Sequence, residues 1–206
     1  MPSESMKRLG ILFVISAPSG AGKSTICSSL RQTPDTVYAV SCTTREPRAG
    51  ETNGEDYHFM GTSEFERRIA TGEFLEYARV HDRYYGTLRQ TIVDSLREGI
   101  DVLVDIDVQG ADTIRQSKDS FIQDSLVDIF IMPPNLDELR HRLVKRGTET
   151  AEQIEHRLTN AATEMKCWRE YRYTIISGSM EEDLQKFRAI TRAERYLSRR
   201  IISLED

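Results

Sequence analysis

The stretch Ile11–Thr25, ILFVISAPSGAGKST, decides how the rest of the chain is read. It opens with a short apolar run and then turns at Ala17-Pro18-Ser19-Gly20. An apolar run bounded by a turn fits a strand buried on both faces of a parallel sheet. The second half follows the phosphate-loop pattern G-x-x-x-x-G-K-[ST] at Gly22, Lys23 and Ser24, with Ala17 where the first glycine belongs. In such a loop the glycines let backbone N–H groups turn inward around phosphates. The lysine reaches the β- and γ-phosphates, and the hydroxyl binds magnesium. The helix that follows points its N-terminus at the anion. The first position mainly ends the strand, where alanine is tolerated if its φ is negative. Ser19, Gly20, Ala21, Gly22, Lys23, Ser24 and Thr25 are therefore the predicted nucleotide-phosphate site.

Met6-Lys7-Arg8 before the apolar run also fits the start of a secretory signal, but cleavage near Ala17 would destroy the loop, so the strand reading is preferred. The sequence leaves open whether translation starts at Met1 or Met6.

A chain of 206 residues, 38% hydrophobic and 30% charged, suits one soluble globular domain or one core with inserts. A net charge of −5 argues against coating nucleic acid through bulk positive field. No apolar run approaches the ~20 residues that span a bilayer, so no membrane partner is expected. Cys27, Cys42 and Cys167 are odd in number and lack a C-x-x-C, which points to a reducing, cytoplasmic setting. His58, His81, His141 and His156 form no metal-spaced pair, so no zinc site is proposed.

Strand-like runs at Ile11–Ser16, Val37–Ser41, Val102–Asp107, Val127–Met132 and Tyr173–Ser177 alternate with helix-like segments. The helices are expected at Ser24–Gln32, Asn135–Arg146, Thr150–Lys166 and Glu181–Ile202. This alternation predicts an α/β fold, a parallel sheet core flanked by helices. Residues 41–95 break the rhythm with turn-rich and aromatic segments, and read as a small mixed subdomain inserted into the core. A second, polar insert near 148–167 reads as a mobile helical cover.

The insert carries Arg45, Arg48 and Tyr57, two guanidiniums and a phenol suited to a phosphate dianion. It also carries Glu76, Tyr85 and Thr87. Guanine presents N1–H and N2–H side by side, a pair that one carboxylate can accept and that adenine lacks. A hydroxyl such as Ser41 or Thr87 could donate to O6. Asp105 and Asp107 are two apart on a predicted strand and so share a face near its C-terminal end, where α/β proteins bind ligands. Arg142 and Arg146 are i and i+4 on a predicted helix, with Arg157 in the next. Arginines there could neutralise a phosphoryl group in transfer.

The segments SAPSGAGKST, SCTTREPRAGETNGEDYHF, GEFLEYARVHDRYYGT, DVLVDIDVQGA and RLVKRGTET occur in this order, and together the chain resembles the guanylate kinases from about Ile11 to Leu197. The resemblance implies a P-loop kinase fold in a single domain. Its core lies at about 9–40, 96–147 and 168–206, with a GMP-binding insert at about 41–95 and a lid at about 148–167. It implies direct transfer of the γ-phosphoryl group of ATP to GMP, with ATP as co-substrate and Mg2+ held by Ser24 and, through water, by Asp105. Ser41, Arg45, Arg48, Tyr57, Glu76, Tyr85, Thr87 and Asp107 match the GMP site, the arginines and tyrosines on phosphate and Glu76, Ser41 and Thr87 on the base. Lys23, Arg142, Arg146 and Arg157 match the catalytic cations, and Arg140 lies close by on the predicted helix of Arg142 and Arg146.

Ala17 and the Ser177-Gly178 pair depart from the family pattern. The resemblance implies an asparagine near the adenine at the latter, which this chain replaces with Ser177 and Gly178. The late cluster Lys186, Arg188, Arg192, Arg195, Arg199 and Arg200 reads as a solvated helix face. The alternatives are a non-catalytic phosphopeptide-binding module, against which Lys23 stands, and a P-loop kinase for another acceptor. The sequence does not decide between a monomer and a homo-oligomer.

Overall fold

The computed structural model describes residues 6–18, 20–30, 36–80, 82–147 and 150–203. The chain runs β1 (Met6–Arg8), β2 (Leu12–Ser16), α1 (Lys23–Leu30) and β3 (Thr36–Tyr38), then β4 (Cys42–Thr43), β5 (His58–Phe59), α2 (Thr62–Ala70), β6 (Phe74–Val80) and β7 (Arg83–Leu88). It continues through α3 (Arg89–Arg97), β8 (Asp101–Asp105), α4 (Val108–Arg115), α5 (Ser120–Ser125), β9 (Leu126–Met132), α6 (Leu136–Arg146) and α7 (Ala151–Glu164). A 3-10 segment at Met165–Glu170 leads to β10 (Tyr173–Ile176) and α8 (Met180–Arg195), and a 3-10 turn at Ser198–Arg200 leads to β11 (Ile201–Ser203).

The apolar run of the opening stretch is the middle of a parallel sheet of order β10-β9-β2-β8-β3. Leu12 registers with Val102 on one side and Leu126 on the other. A strand paired on both edges and covered on both faces has no contact with water, and Ile11–Ile15 are all 0% exposed. Strand alternation sorts the side chains. Ile11, Phe13 and Ile15 pack with Ile26, Cys27 and Leu30 of α1 and Phe187 of α8. Leu12 and Val14 pack with Ile92, Val93 and Leu96 of α3, Ile114 of α4 and Ile122 of α5. Each such side chain contributes about 1.5–3 kcal/mol by leaving water. This is the α/β P-loop architecture predicted, helices on both faces of a parallel sheet.

The second sheet, β5-β4-β7-β6, is mixed: β4 pairs parallel with β5 and antiparallel with β7. It has its own small core, in which Phe65 of α2 stacks on Phe74 at 4.3 Å and on Tyr84 at 5.2 Å. A third cluster joins α6 to α7 through Leu139, Leu143, Ile154, Leu158 and Ala161. Both helices are capped by their own sequence. The Asn135 side chain accepts from the Glu138 amide and Gly147 ends α6 in the left-handed region, while Thr150 and Gln153 form a capping box on α7.

Several expected boundaries move. The expected strand Val37–Ser41 ends at Tyr38, and Val102–Asp107 ends at Asp105 because Asp107 caps α4 instead. Helices α3, α4 and α5 had no expectation attached, and α3 packs on the parallel sheet through Ile92, Val93 and Leu96. The helix expected through Ile202 stops at Arg195, after which β11 pairs antiparallel with β1. The reason is Arg200. Far from solvated, it is 1% exposed, donating to a Glu194 carboxylate oxygen at 3.0 Å and to the Asp124 carbonyl at 3.0 Å. Arg195 likewise pairs with buried Asp101, and Lys186 donates to the Ile176 carbonyl. Burying the Arg200 guanidinium against Glu194 and the Asp124 carbonyl requires the chain to leave the helix after Arg195; the Arg200 Nε has no partner among the described residues.

Candidate active site

The phosphate loop follows from the end of β2. Gly20 and Gly22 adopt φ of 91° and 96°, which L side chains rarely take. Ala17 does not: the single non-glycine residue at positive φ among those described is Asp82. Alanine is therefore compatible with the loop, and its methyl group lies in the core. Gly20 is also needed for space, since a Cβ there would come within 2.6 Å of Leu143 Cδ2 on α6. The Ala21 amide donates to the Pro18 carbonyl at 3.0 Å, and α1 starts at Lys23. Ser19 and the Ser24 side chain lie outside the described residues.

Lys23 is drawn to the end of β8. Its ammonium lies 2.5 Å from Asp105 Oδ1 and donates to the Ile106 carbonyl at 3.0 Å. Spacing alone places Asp107 on that strand beside Asp105, but β8 ends at Asp105. The Asp107 carboxylate accepts from the Gly110 amide at 2.8 Å and so caps α4, while its carbonyl accepts from the Ser16 hydroxyl at 3.3 Å. Both aspartates nevertheless line one cleft, because the cap turns Asp107 back over the strand end.

Across that cleft stands the mixed sheet. Glu76 on β6 is 5% exposed, and its Oε1 accepts from the Thr87 hydroxyl on β7 at 2.6 Å. The Thr87 hydroxyl in turn lies 3.5 Å from that of Ser41. The sequence-predicted base-reading trio is thus assembled in one place. Burial pushes the Glu76 carboxyl up to about 7; the Thr87 hydrogen bond opposes this and the Asp107 charge adds to it. Tyr57 and Tyr85 meet edge to face at 6.0 Å. The Arg45 guanidinium lies 5.4 Å from the centroid of the Tyr57 ring.

Arg45 is gripped by Glu51 through two bonds of 2.8 and 2.9 Å. Glu51 also accepts from the Arg48 amide at 2.7 Å. The paired guanidinium holds the Glu51 carboxyl below the usual range, and Glu51 holds Arg45 above its own. Sequence reading missed Glu51. Its signal was a carboxylate three residues after Arg48, following the Pro47 and Gly50 turn, where it can close back on both arginines.

The cleft is about 450 Å³ and is lined from the parallel sheet by Lys23, Asp105 and Asp107 and from the mixed sheet by Ser41, Tyr57, Glu76 and Tyr85. That volume suits a small ligand. Arg45, Arg48 and Thr87 are not part of this lining, and Arg48 is exposed. Arg142 reaches the loop from α6, donating to Ser177 Oγ at 2.9 Å and to the Ala21 carbonyl at 3.4 Å, and pairing with Glu138 at 2.8 Å. Ser177, where the resemblance leads one to expect asparagine, thus accepts from an arginine. Arg146 is exposed in the last turn of α6, and Arg157 is half-buried on α7. Arg140 pairs with Glu155 of α7, bracing the two helices together.

A hard divalent cation fits this donor set. Among the described residues no three His, Cys, Asp or Glu side chains converge, and Mg2+ commonly uses one or two protein oxygens together with waters and substrate phosphates. Asp105, at the strand end beside Lys23, supplies such an oxygen.

The guanylate kinase family model matches residues 10–194. A guanylate kinase of Caldanaerobacter subterraneus subsp. tengcongensis is 44% identical over 93% of this chain and 91% of its own length. One of Maricaulis maris is 43% identical over 92% and 85%. The crystal structure of guanylate kinase from Anaplasma phagocytophilum superposes with a TM-score of 0.78 at 34% identity, covering 97% of this chain and 94% of that one. A resemblance spread over both sheets, the loop and the α6–α7 pair leaves one conclusion: the chain belongs to the guanylate kinase family.

Proposed function

We propose that this chain transfers the γ-phosphoryl group of ATP to GMP, giving ADP and GDP, and that it does so in the cleft between its two sheets. The observation that carries this reading is the juxtaposition, across one cleft, of Lys23 and Asp105 with the buried Glu76 carboxylate backed by Thr87 and Ser41. The phosphate loop would hold ATP, with Lys23 on its β- and γ-phosphates. Glu76 would accept guanine N1–H and N2–H together. Adenine offers a lone pair at the matching edge position and is repelled by the same carboxylate.

Arg45, oriented by Glu51, and Arg48, Tyr57 and Tyr85 would bind the GMP phosphate. The GMP phosphate oxygen is then the nucleophile, attacking in line as the bond to the ADP oxygen breaks. Arg142, Arg146 and Arg157 would take up charge on the transferring group. No covalent enzyme intermediate is needed; catalysis rests on positioning and electrostatics. Asp105 and the Ser24 hydroxyl would hold Mg2+, which supplies charge neutralisation on the ATP phosphates. Movement of the α7 region over the cleft would exclude water, which otherwise accepts the phosphoryl group. None of the three cysteines is in a disulfide, in keeping with a reducing compartment such as the cytoplasm.

The test is Glu76→Gln. Losing one charged acceptor and presenting an NH2 to a donor lowers kcat/KM for GMP by about tenfold to a hundredfold, while KM for ATP stays within about twofold. Unchanged GMP use in this variant would refute the assignment of the base site.

A further inference from the structure

Gly110 is the third residue of α4, and nothing in its backbone demands glycine. Its φ lies outside the left-handed region, and its one hydrogen bond in the cap is an amide that alanine offers equally. Glycine inside a helix costs about 0.5–1 kcal/mol relative to alanine. What the missing side chain provides is space. A Cβ at this position would lie 3.1 Å from Glu76 Oε2, 3.2 Å from Ile106 Cδ1 and 3.3 Å from Ile106 Cβ. The nearest of these atoms is the second oxygen of the carboxylate whose first oxygen Thr87 holds at 2.6 Å.

We propose that Gly110 is a positioning residue for guanine selectivity: its bare backbone sets the depth and tilt of the Glu76 carboxylate against the first turn of α4. The proposal rests on the reading that Glu76 recognises guanine. Relief of an added methyl group must come from one of its neighbours. The Ile106 main chain, and with it Cβ, is held by its amide donating to the Ile15 carbonyl at 3.2 Å and its carbonyl accepting from Lys23 at 3.0 Å, while its side chain is packed into the core at 8% exposure. Glu76 is attached to the sheet through Thr87 and can yield only by tilting about that bond. A tilt of a few tenths of an ångström spoils simultaneous acceptance of two parallel N–H groups, whose strength depends on alignment. Asp107 and Thr87 are the polar groups facing this carboxylate from the neighbouring elements.

The experiment compares wild type, Gly110→Ala, Glu76→Asp and the double variant by GMP calorimetry and by kinetics with GMP and IMP as acceptors. IMP lacks the 2-amino group, so the GMP-to-IMP ratio reads the bidentate contact directly. Gly110→Ala is expected to weaken GMP binding about tenfold to a hundredfold and to lower that ratio, with KM for ATP within about twofold. In the Glu76→Asp background, where the shorter side chain withdraws from the added methyl group, the Gly110→Ala penalty should shrink. A merely structural role lowers the thermal midpoint without moving the GMP-to-IMP ratio, and that result overturns the proposal. So does an equal Gly110→Ala penalty in both Glu76 backgrounds, or rescue by Ile106→Val, which would assign the clash to Ile106. If wild type itself fails to prefer GMP over AMP, the base-site reading falls first, and this inference with it.

Discussion

Taking the solution from about pH 8 to about pH 6 should weaken GMP binding in a way that belongs to one residue. Glu76 is buried, and its carboxyl is pushed up to about 7 from 4.5. The group that accepts guanine N1–H and N2–H is its ionised form. Below about pH 7 the unliganded site holds a proton that GMP must displace. The ionised fraction falls from about ten-elevenths at one unit above the midpoint to about one-eleventh at one unit below, so the apparent affinity falls about tenfold. The GMP phosphate also titrates near pH 6, and Glu76→Gln isolates that contribution because it lacks the carboxyl. Calorimetry across the range, repeated in buffers of different ionisation enthalpy, should find about half a proton released on binding near pH 7 in wild type beyond that of Glu76→Gln. The same shift has a stability consequence of definite sign. Between the unfolded value of 4.5 and the folded value of about 7 the folded state binds more protons, so stability falls as pH rises through that window. The integrated effect is of order 3 kcal/mol, read as the difference between wild type and Glu76→Gln. Identical pH profiles for the two proteins would refute the reasoning.

Two other expectations concern departures from simple sequence rules. Ala17→Gly should keep activity within about twofold and cost about 0.5–1 kcal/mol by denaturant unfolding, because the alanine φ is negative and glycine adds only unfolded-state freedom; a gain in activity of tenfold or more would show that Ala17 impairs the loop. Arg200→Ala should cost about 3–5 kcal/mol, since it strips a partner from the Glu194 carboxylate, which is 1% exposed. In a chain of this size that is roughly a 10 °C fall in thermal midpoint with KM for GMP unmoved, and a fall below about 2 °C would contradict the buried pairing.

The parallel sheet was legible because each of its longer strands is an apolar run bounded by turn residues, a pattern with few other solutions in a chain of alternating elements. The phosphate loop was legible because its function demands backbone freedom that only glycine supplies. Glu76, Thr87 and Ser41 were picked out by residue type and resemblance, and their meeting depends on sheet register that no local pattern encodes. Asp107 shows the limit from the other side: spacing of two suggested a shared strand face, yet the side chain was more stably used as a helix cap. Arg200 reads as surface in sequence because arginine usually is; its burial depends on Glu194 six residues earlier and on carbonyls some 75 residues earlier. Glu51 and Gly110 were missed because both act through another side chain, one by gripping Arg45 and one by leaving room for Glu76.

The most direct measurement is ADP formation from ATP and Mg2+ with GMP, dGMP, AMP, CMP or UMP as acceptor, alongside Lys23→Ala. The account predicts strong turnover with GMP, weaker turnover with dGMP, little with the others, and a loss of at least about a hundredfold in the variant. Absence of phosphorylation with every acceptor, while GMP or a phosphopeptide still binds, would contradict it and make the chain a binding module.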